Sequence, residues 1–447
     1  MTYSRRRASS SASPTSRIIA PTRLGYGWSS RTDGELSLSE AEILLGLGTI
    51  IVFGVVAQVI AARLAIPGVL VLLTAGVIAG PITGLVVPDE LFGELLFPGV
   101  TLAVGLLLFD GGLQLQMHRI RAWRGVVTRL VTVGVLVTWI VGSLTIDLVT
   151  DLDGGTAWLL GAVLVVSGPT VVIPLLRRFN PKEPSGEILE WEGILIDPVG
   201  AMLGVIMLDV VLDGDTAVDA AGSIAATVAA GVGAGVVGAM LTIAILRMPQ
   251  LPQLLRAPVA LALAVAAYSV ANLLVPEAGL FATTTVGIFL ANQTKTPIED
   301  IAAFEEGVGV LALGSLFIVL GARMPIDALA DTLVPGLVLL AVLVLVARPL
   351  AVFVSTIGTG LDRPSSLFVA SLAPRGIVAA ATASVFALEL QAEGIPGSDT
   401  LTSITFIVII GAGLIYGLGA GPMGKRLGVV QATSAAAPAT TPRQPTN

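Results

Sequence analysis

Glu187-Ile-Leu-Glu-Trp-Glu-Gly-Ile-Leu-Ile-Asp-Pro-Val-Gly-Ala201 leads into a largely apolar run that ends at Leu212. Two carboxylates, Glu192 and Asp197, therefore lie in a segment otherwise hydrophobic enough to sit in a bilayer. A charged side chain at the centre of a membrane helix costs at least about 2.5–3.5 kcal/mol. A chain keeps such groups to hold an ion, to carry a proton, or to neutralise a buried cation. Pro198 follows Asp197 directly and has no N–H for the Ile194 carbonyl. The helix is expected to weaken beside its acid, leaving an oxygen free to face a cation.

Composition carries the same reading to the whole chain. The 447 residues are 54% hydrophobic and only 12% charged, with a mean hydropathy of +0.92. Apolar runs of about 20 residues recur along most of the length, which describes a polytopic all-α membrane protein. There is no Cys, so disulfides, thiolate metal sites and cysteine catalysis are excluded. His118 sits among Arg119, Arg121 and Arg124 and reads as a loop residue. The Gly417-Leu-Gly-Ala-Gly421 cluster follows a membrane run, not a βαβ pattern, so it is no phosphate loop. No nucleophile, metal cluster or cofactor motif stands at the span ends, so neither an enzyme, a cofactor nor a nucleic-acid partner is expected. Residues 1–38, with six Arg among Ser, Thr, Pro and Gly, have the composition of a disordered tail. Residues 427–447 read as an Ala/Thr/Pro tail, and 39–426 as the membrane domain.

Apolar runs between polar breaks predict thirteen spans. They lie at about 42–61, 67–86, 95–117, 123–150, 156–178, 187–212, 216–247, 257–275, 279–292, 301–321, 328–356, 364–388 and 398–424. Every second loop is basic, as at Arg63, Arg119, Arg177, Arg247, Lys295, Arg363 and Lys425. The alternate loops are acidic, as at Asp89, Asp151, Asp213, Glu277, Asp327 and Glu393, with Arg323 the sole basic residue there. By the positive-inside rule the basic set is cytoplasmic, which puts the N-terminus outside and the C-terminus inside.

Three spans carry breaking residues at mid-length. The fifth holds Ser167-Gly-Pro-Thr170 and then Pro174, so Pro169 and Pro174 leave the carbonyls of Val165 and Thr170 without helical donors. The twelfth holds Ala373-Pro-Arg-Gly376, with Pro374 the breaker, and the sixth holds Asp197-Pro198. Broken helices at matching places in two halves point to a transporter's binding site. Spans five and twelve are seven apart, as two six-span units of inverted topology joined by one linking span would place them.

Hard cations want oxygen ligands. Asp197, Thr170, Ser167 and carbonyls freed near Pro169 supply them if spans five and six touch. Burial disfavours the charged form of an acid, so one carboxylate there can take a proton or a cation, but not easily both. That competition suffices to drive ion/proton exchange. The buried cations Arg348 and Arg375 need partners. Glu192 and Asp197 are five residues apart, roughly 140° around a helix, so Glu192 can face a neighbour while Asp197 faces a cavity. Glu192–Arg348 is the favoured structural pair, with Arg375 as the alternative. Asp110, in Leu106-Leu-Leu-Phe-Asp-Gly-Gly-Leu113, reads equally as part of a cation approach path or as a helix-end carboxylate. Glu187 and Glu190 are placed at the cytoplasmic mouth of span six, as an acidic funnel or as plain solvated charge.

The motifs together resemble the monovalent cation/proton antiporter family, in its bacterial and archaeal sodium/proton branch related to sodium/hydrogen exchangers. The resemblance covers about residues 42–426. It rests on Phe109-Asp-Gly-Gly-Leu113, Ser167-Gly-Pro-Thr-Val-Val172, Glu192 five before Asp197, Arg348-Pro349 and Pro374-Arg-Gly376. It implies an inverted-repeat fold of thirteen spans, in which two broken helices cross beside the essential aspartate. It also implies a homodimer formed by helices at about 42–117 and 257–321, and a core at about 123–212 and 328–424 that moves as an elevator. Asp197 then matches the ion-binding acid, and Glu192 the glutamate paired with an arginine. This chain departs from the branch in carrying Gly193 where a Ser follows the glutamate, and Ile196 where an Asn precedes the aspartate. Two oxygen ligands are absent, and so is the second aspartate of the electrogenic branch. The expectation is electroneutral Na+/H+ exchange in a prokaryotic cell membrane. K+/H+ exchange on the same fold is the alternative, and a channel-like permease a more remote one.

Overall fold

A computed structural model describes residues 39–64, 66–213, 217–294 and 296–430, with the side chains of 169–170, 213 and 217–221 outside the description. The tail expected over residues 1–38 lies outside these residues. Among the described residues nine helices are long and apolar enough to cross a membrane, and four shorter apolar helices complete the set. In chain order the first unit comprises α1 (Glu40–Leu64), α2 (Gly68–Ile82), α3 (Leu96–Gln114), α4 (Arg124–Val149), α5 (Gly154–Val163), α6 (Pro169–Phe179) and α7 (Ser185–Asp213). The linking helix α8 (Ala217–Leu246) follows. The second unit comprises α9 (Gln253–Leu274), α10 (Ala278–Ala291), α11 (Glu299–Ala322), α12 (Ile326–Thr356), α13 (Arg363–Ala370), α14 (Ile377–Ala392) and α15 (Ser398–Arg426).

The two units share two irregularities. In each, the fifth span is split, into α5 and α6 around 164–168 and into α13 and α14 around 371–376. In each, the fourth span carries a π-helical turn, Leu130–Gly134 in α4 and Leu343–Ala347 in α12. The second π turn delivers the chain to Arg348-Pro349. Such turns insert one residue per turn and recur at functional positions.

Packing sorts the helices into two groups. In one, α11 lies on α1, α2 and α3, and α10 lies on α3, α8 and α9. Small residues permit close approach there, as is common between membrane helices. A Cβ on Gly287 would stand 2.5 Å from the Phe109 carbonyl oxygen and 2.9 Å from the Gly112 Cα, so α10 and α3 meet backbone to backbone. In the other group, α7 packs on α5 and α6, α4 on α5, α12 and α14 on α15, and α7 on α14. Trp139 of α4 donates its indole N–H to the Trp158 carbonyl at 3.0 Å, with the two rings edge to face.

Two expectations need correction. The sixth span is not interrupted, because α7 runs unbroken through Pro198. It packs on α5, α6 and α14, with Ile194 and Ile196 beside the proline buried, and tertiary packing lets a membrane helix accommodate one missing bond. The C-terminal tail does not begin at 427. Lys182 donates its N–H to the Val429 carbonyl at 2.7 Å, Pro181 bridges Val430, and both valines are buried. Residues 431–447 lie outside the described residues.

Candidate functional site

Asp197 sits midway along α7, only 1% exposed, and its Oδ1 is buried without a hydrogen-bond partner. The helix meets the split in the fifth span at this level. A Cβ on Gly200 would run into the Val166 side chain, and one on Gly193 would lie 3.6 Å from the Ser167 carbonyl oxygen. Gly193 stands one turn before Asp197, so the missing side chain brings α7 against the break that carries buried Ser167. The side chains of Pro169 and Thr170 fall outside the description, although both residues belong to α6. Ile196 faces elsewhere, in an apolar cluster with Val135 and Val165 packed by Trp139.

The two splits touch each other. Arg375, buried in the break between α13 and α14, donates from one guanidinium nitrogen to the carbonyls of Val165 at 2.7 Å and Val166 at 3.3 Å. The Val165 oxygen that Pro169 leaves without a helical donor is therefore taken by an arginine and is not a free cation ligand. Proline chemistry makes the vacancy legible in the sequence, but not its occupant. The same bonds remove Arg375 as a partner for Glu192.

Glu192 pairs with Arg348. Both carboxylate oxygens accept from the guanidinium, Oε2 at 2.8 Å, and Arg348 also donates to the Val369 carbonyl from Nε at 3.1 Å and from Nη2 at 2.9 Å. Glu192 is 2% exposed and Arg348 5%. One guanidinium thus ties α12 to α7 and to the end of α13. A bidentate pair with two further bonds to the Val369 carbonyl is the kind of arrangement that offsets the desolvation of both charges.

Toward the end of the bundle that carries the basic loops, two cavities open beside the site. One, of about 110 Å³, is lined by Asp110, Gln114, Pro174, Arg177 and Glu306. Asp110 is half-buried and accepts from the Gln114 amide at 3.2 Å. The other is lined by Arg119, Arg177, Glu183, Glu187 and Glu190. Glu187 is buried there and accepts from Arg119 at 2.9 Å, as Glu183 does at 3.2 Å. The mouth is thus a mixed-charge network in which Arg119 neutralises Glu187, neither a free acidic funnel nor plain solvated charge at that residue. Ile173 and Arg177 of α6 line both cavities and link them to the broken span. Sequence reasoning missed Glu305 of α11, which is 1% exposed with Oε1 unpartnered. In Phe304-Glu-Glu-Gly307 nothing local distinguishes it from the exposed Glu306 beside it.

Comparison with known proteins places this geometry in context. The family model described as "Sodium/hydrogen exchanger, transmembrane" matches residues 48–426. A K(+)/H(+) antiporter NhaP of Alkalimonas amylolytica is 26% identical over 394 residues, covering 86% of this chain and 66% of that protein. The Na(+)/H(+) antiporter 1 of Methanocaldococcus jannaschii is 26% identical over 393 residues, covering 82% of this chain and 89% of that protein. A K(+)/H(+) antiporter NhaP2 of Shewanella baltica is 25% identical, and this chain spans 62% of its length. The solved structure of the sodium proton antiporter MjNhaP1 from Methanocaldococcus jannaschii at pH 8 superposes with a TM-score of 0.77 at 23% identity. It covers 86% of this chain and 99% of that one, and establishes the fold.

Proposed function

We propose, from the premise that the chain belongs to the sodium/hydrogen exchanger family, that it is a secondary active monovalent cation/proton antiporter. One observation carries the reading: a single buried carboxylate, Asp197, with an unpartnered oxygen, lies where two broken membrane spans meet. A proton and a cation compete for that group. Glu192 is occupied by Arg348, and Arg375 by the carbonyls of the facing break, so neither is free to carry charge. With Ile196 apolar beside the acid, one carboxylate exchanges one cation for one proton and the cycle is electroneutral. Ser167 and Thr170 are assigned as further ligands, and Asp110 to the approach path.

Sodium is the first candidate cation. Potassium is the second, because Gly193 and Ile196 leave fewer fixed oxygens, which suits a larger and less strongly hydrated ion. We place the basic loops in the cytoplasm of a prokaryotic cell, so that single cysteines at Gly428 and Gly154 label from inside and outside respectively. The reading includes a homodimer built on the group containing α1, whose apolar surface is little covered within the chain, and an elevator movement of the group containing α7.

Proteoliposomes loaded with a pH dye test the function with sodium, lithium and potassium side by side. Apparent cation affinity should weaken about tenfold per pH unit below the acid's pKa. Asp197→Asn keeps the size, removes the titration and should abolish exchange in a folded protein. Proton-coupled cation flux persisting in Asp197→Asn overturns the proposal.

A further inference from the structure

Glu305 has no role in the exchange cycle as described, yet its position is costly. It lies in the first turns of α11 at 1% exposure, with Oε1 buried and unpartnered. An intramembrane acid without a counter-ion is retained for a reason. Across from it, α3 runs against α11, and the Asp110 carboxylate presses on that helix. A Cβ on Gly309 would stand 3.7 Å from Asp110 Oδ2. Gly309 is four residues beyond Glu305 and so shares its helix face. Glu305 therefore lies on the face of α11 that Asp110 meets. The nearest cation, Arg177 of α6, is engaged on both sides: it pairs with Glu306 and donates to Gln114 Oε1 at 3.3 Å, while Gln114 donates to Asp110. Among the described residues, neither Asp110 nor Glu305 has an ion pair of its own.

We infer that Asp110 and Glu305 form a second site, separate from Asp197, that holds either one shared proton or one monovalent cation. Two like charges at close range in a medium of low dielectric do not ionise together. With a proton, one carboxylic acid donates to the other carboxylate. When a cation arrives, that proton leaves to water and both carboxylates face the ion. Asp110 lines the cavity that Pro174 and Arg177 also line, and Gly111, next to Asp110, packs on Ile194, three residues before Asp197. The pair therefore stands on the approach to the exchange site. Its occupancy reaches α6 through Gln114 and Arg177, the chain of polar contacts that joins the two helix groups. This inference rests on the antiporter reading, but its test does not depend on transport.

Infrared difference spectroscopy on purified protein reads the site directly. In Asp197→Asn, replacing choline chloride by sodium or potassium chloride should discharge one carboxylic-acid band per protein and raise a carboxylate band. Adding Glu305→Gln in that background should remove the response. Asp110→Asn should do the same, and serves if the glutamine variant fails to fold. No salt response in Asp197→Asn, or a response unchanged by Glu305→Gln or by Asp110→Asn, overturns the site. Failure of the antiporter reading appears separately, as exchange surviving in Asp197→Asn.

Discussion

Glu192→Gln gives the sharpest check on how the fold is held. The carboxylate supplies two of the acceptors for Arg348, and the Val369 carbonyl supplies the third. The substitution keeps the shape but removes the charge and turns one acceptor into a donor facing a guanidinium. Hydrogen bonds to charged groups contribute about 1.5–3 kcal/mol each. Two of them make about 3–6 kcal/mol, in agreement with about 3–5 kcal/mol for breaking a buried pair from one side. Against a total stability of about 5–15 kcal/mol, that is a large fraction. The protein should express at a small part of the wild-type level, and its thermal midpoint in detergent, read by fluorescence-detected size exclusion, should fall by many degrees. Glu192→Gln with Arg348→Gln removes the uncompensated cation and should recover part of the loss, because contacting residues are not additive. Arg375→Gln should not rescue, since that guanidinium serves Val165 and Val166. Rescue by Arg375→Gln, or a double variant at 192 and 348 no better than Glu192→Gln alone, would refute the pairing.

Other consequences follow from single contacts. Arg375→Gln strands the buried Val165 carbonyl, at about 1–3 kcal/mol, and should slow exchange together with a lowered thermal midpoint, whereas Arg375→Lys should retain part of both. Gly287→Ala drives a methyl group into the Phe109 carbonyl and the Gly112 backbone; neither can step aside, so a loss of about 1–3 kcal/mol should appear as a lower midpoint, and an unchanged midpoint would show that α3 and α10 are not that close. Asp362 caps α13 by accepting from the Ser365 N–H at 3.1 Å, and hydrogen bonds from the Ser365 hydroxyl and then its N–H hold the Asp362 carboxyl below its ordinary value. Asp362→Ala should cost at most about 1 kcal/mol; because the folded-state value is the lower one, the difference from wild type should persist down to about pH 4, the unfolded value, and vanish as pH falls through the folded value.

Periodicity, breakers and charge placement made the membrane fold readable from the sequence alone. Lipid offers no hydrogen bonds, so a span must be a helix or part of a closed barrel; apolar runs of about 20 residues select helices, and with alternating loop charge they predict thirteen. The breaks at Pro169 and Pro374 were legible because proline lacks a donor, and Asp197 because an acid in an apolar run is expensive. What partners these groups took was decided by tertiary structure. Nothing local tells whether Arg348 or Arg375 meets Glu192, since both are buried arginines in the second unit. The choice follows from which guanidinium the packing of α12 on α7 brings within reach and which the crossing of the two breaks consumes. Pro198 looked like an interruption because its lost bond is a local fact, while the helices α5, α6 and α14 that pack on α7 are distant in sequence. Glu305 was invisible for the converse reason: two adjacent acids at a helix start ordinarily face water, and only the close approach of α3 turns one of them inward beside Asp110.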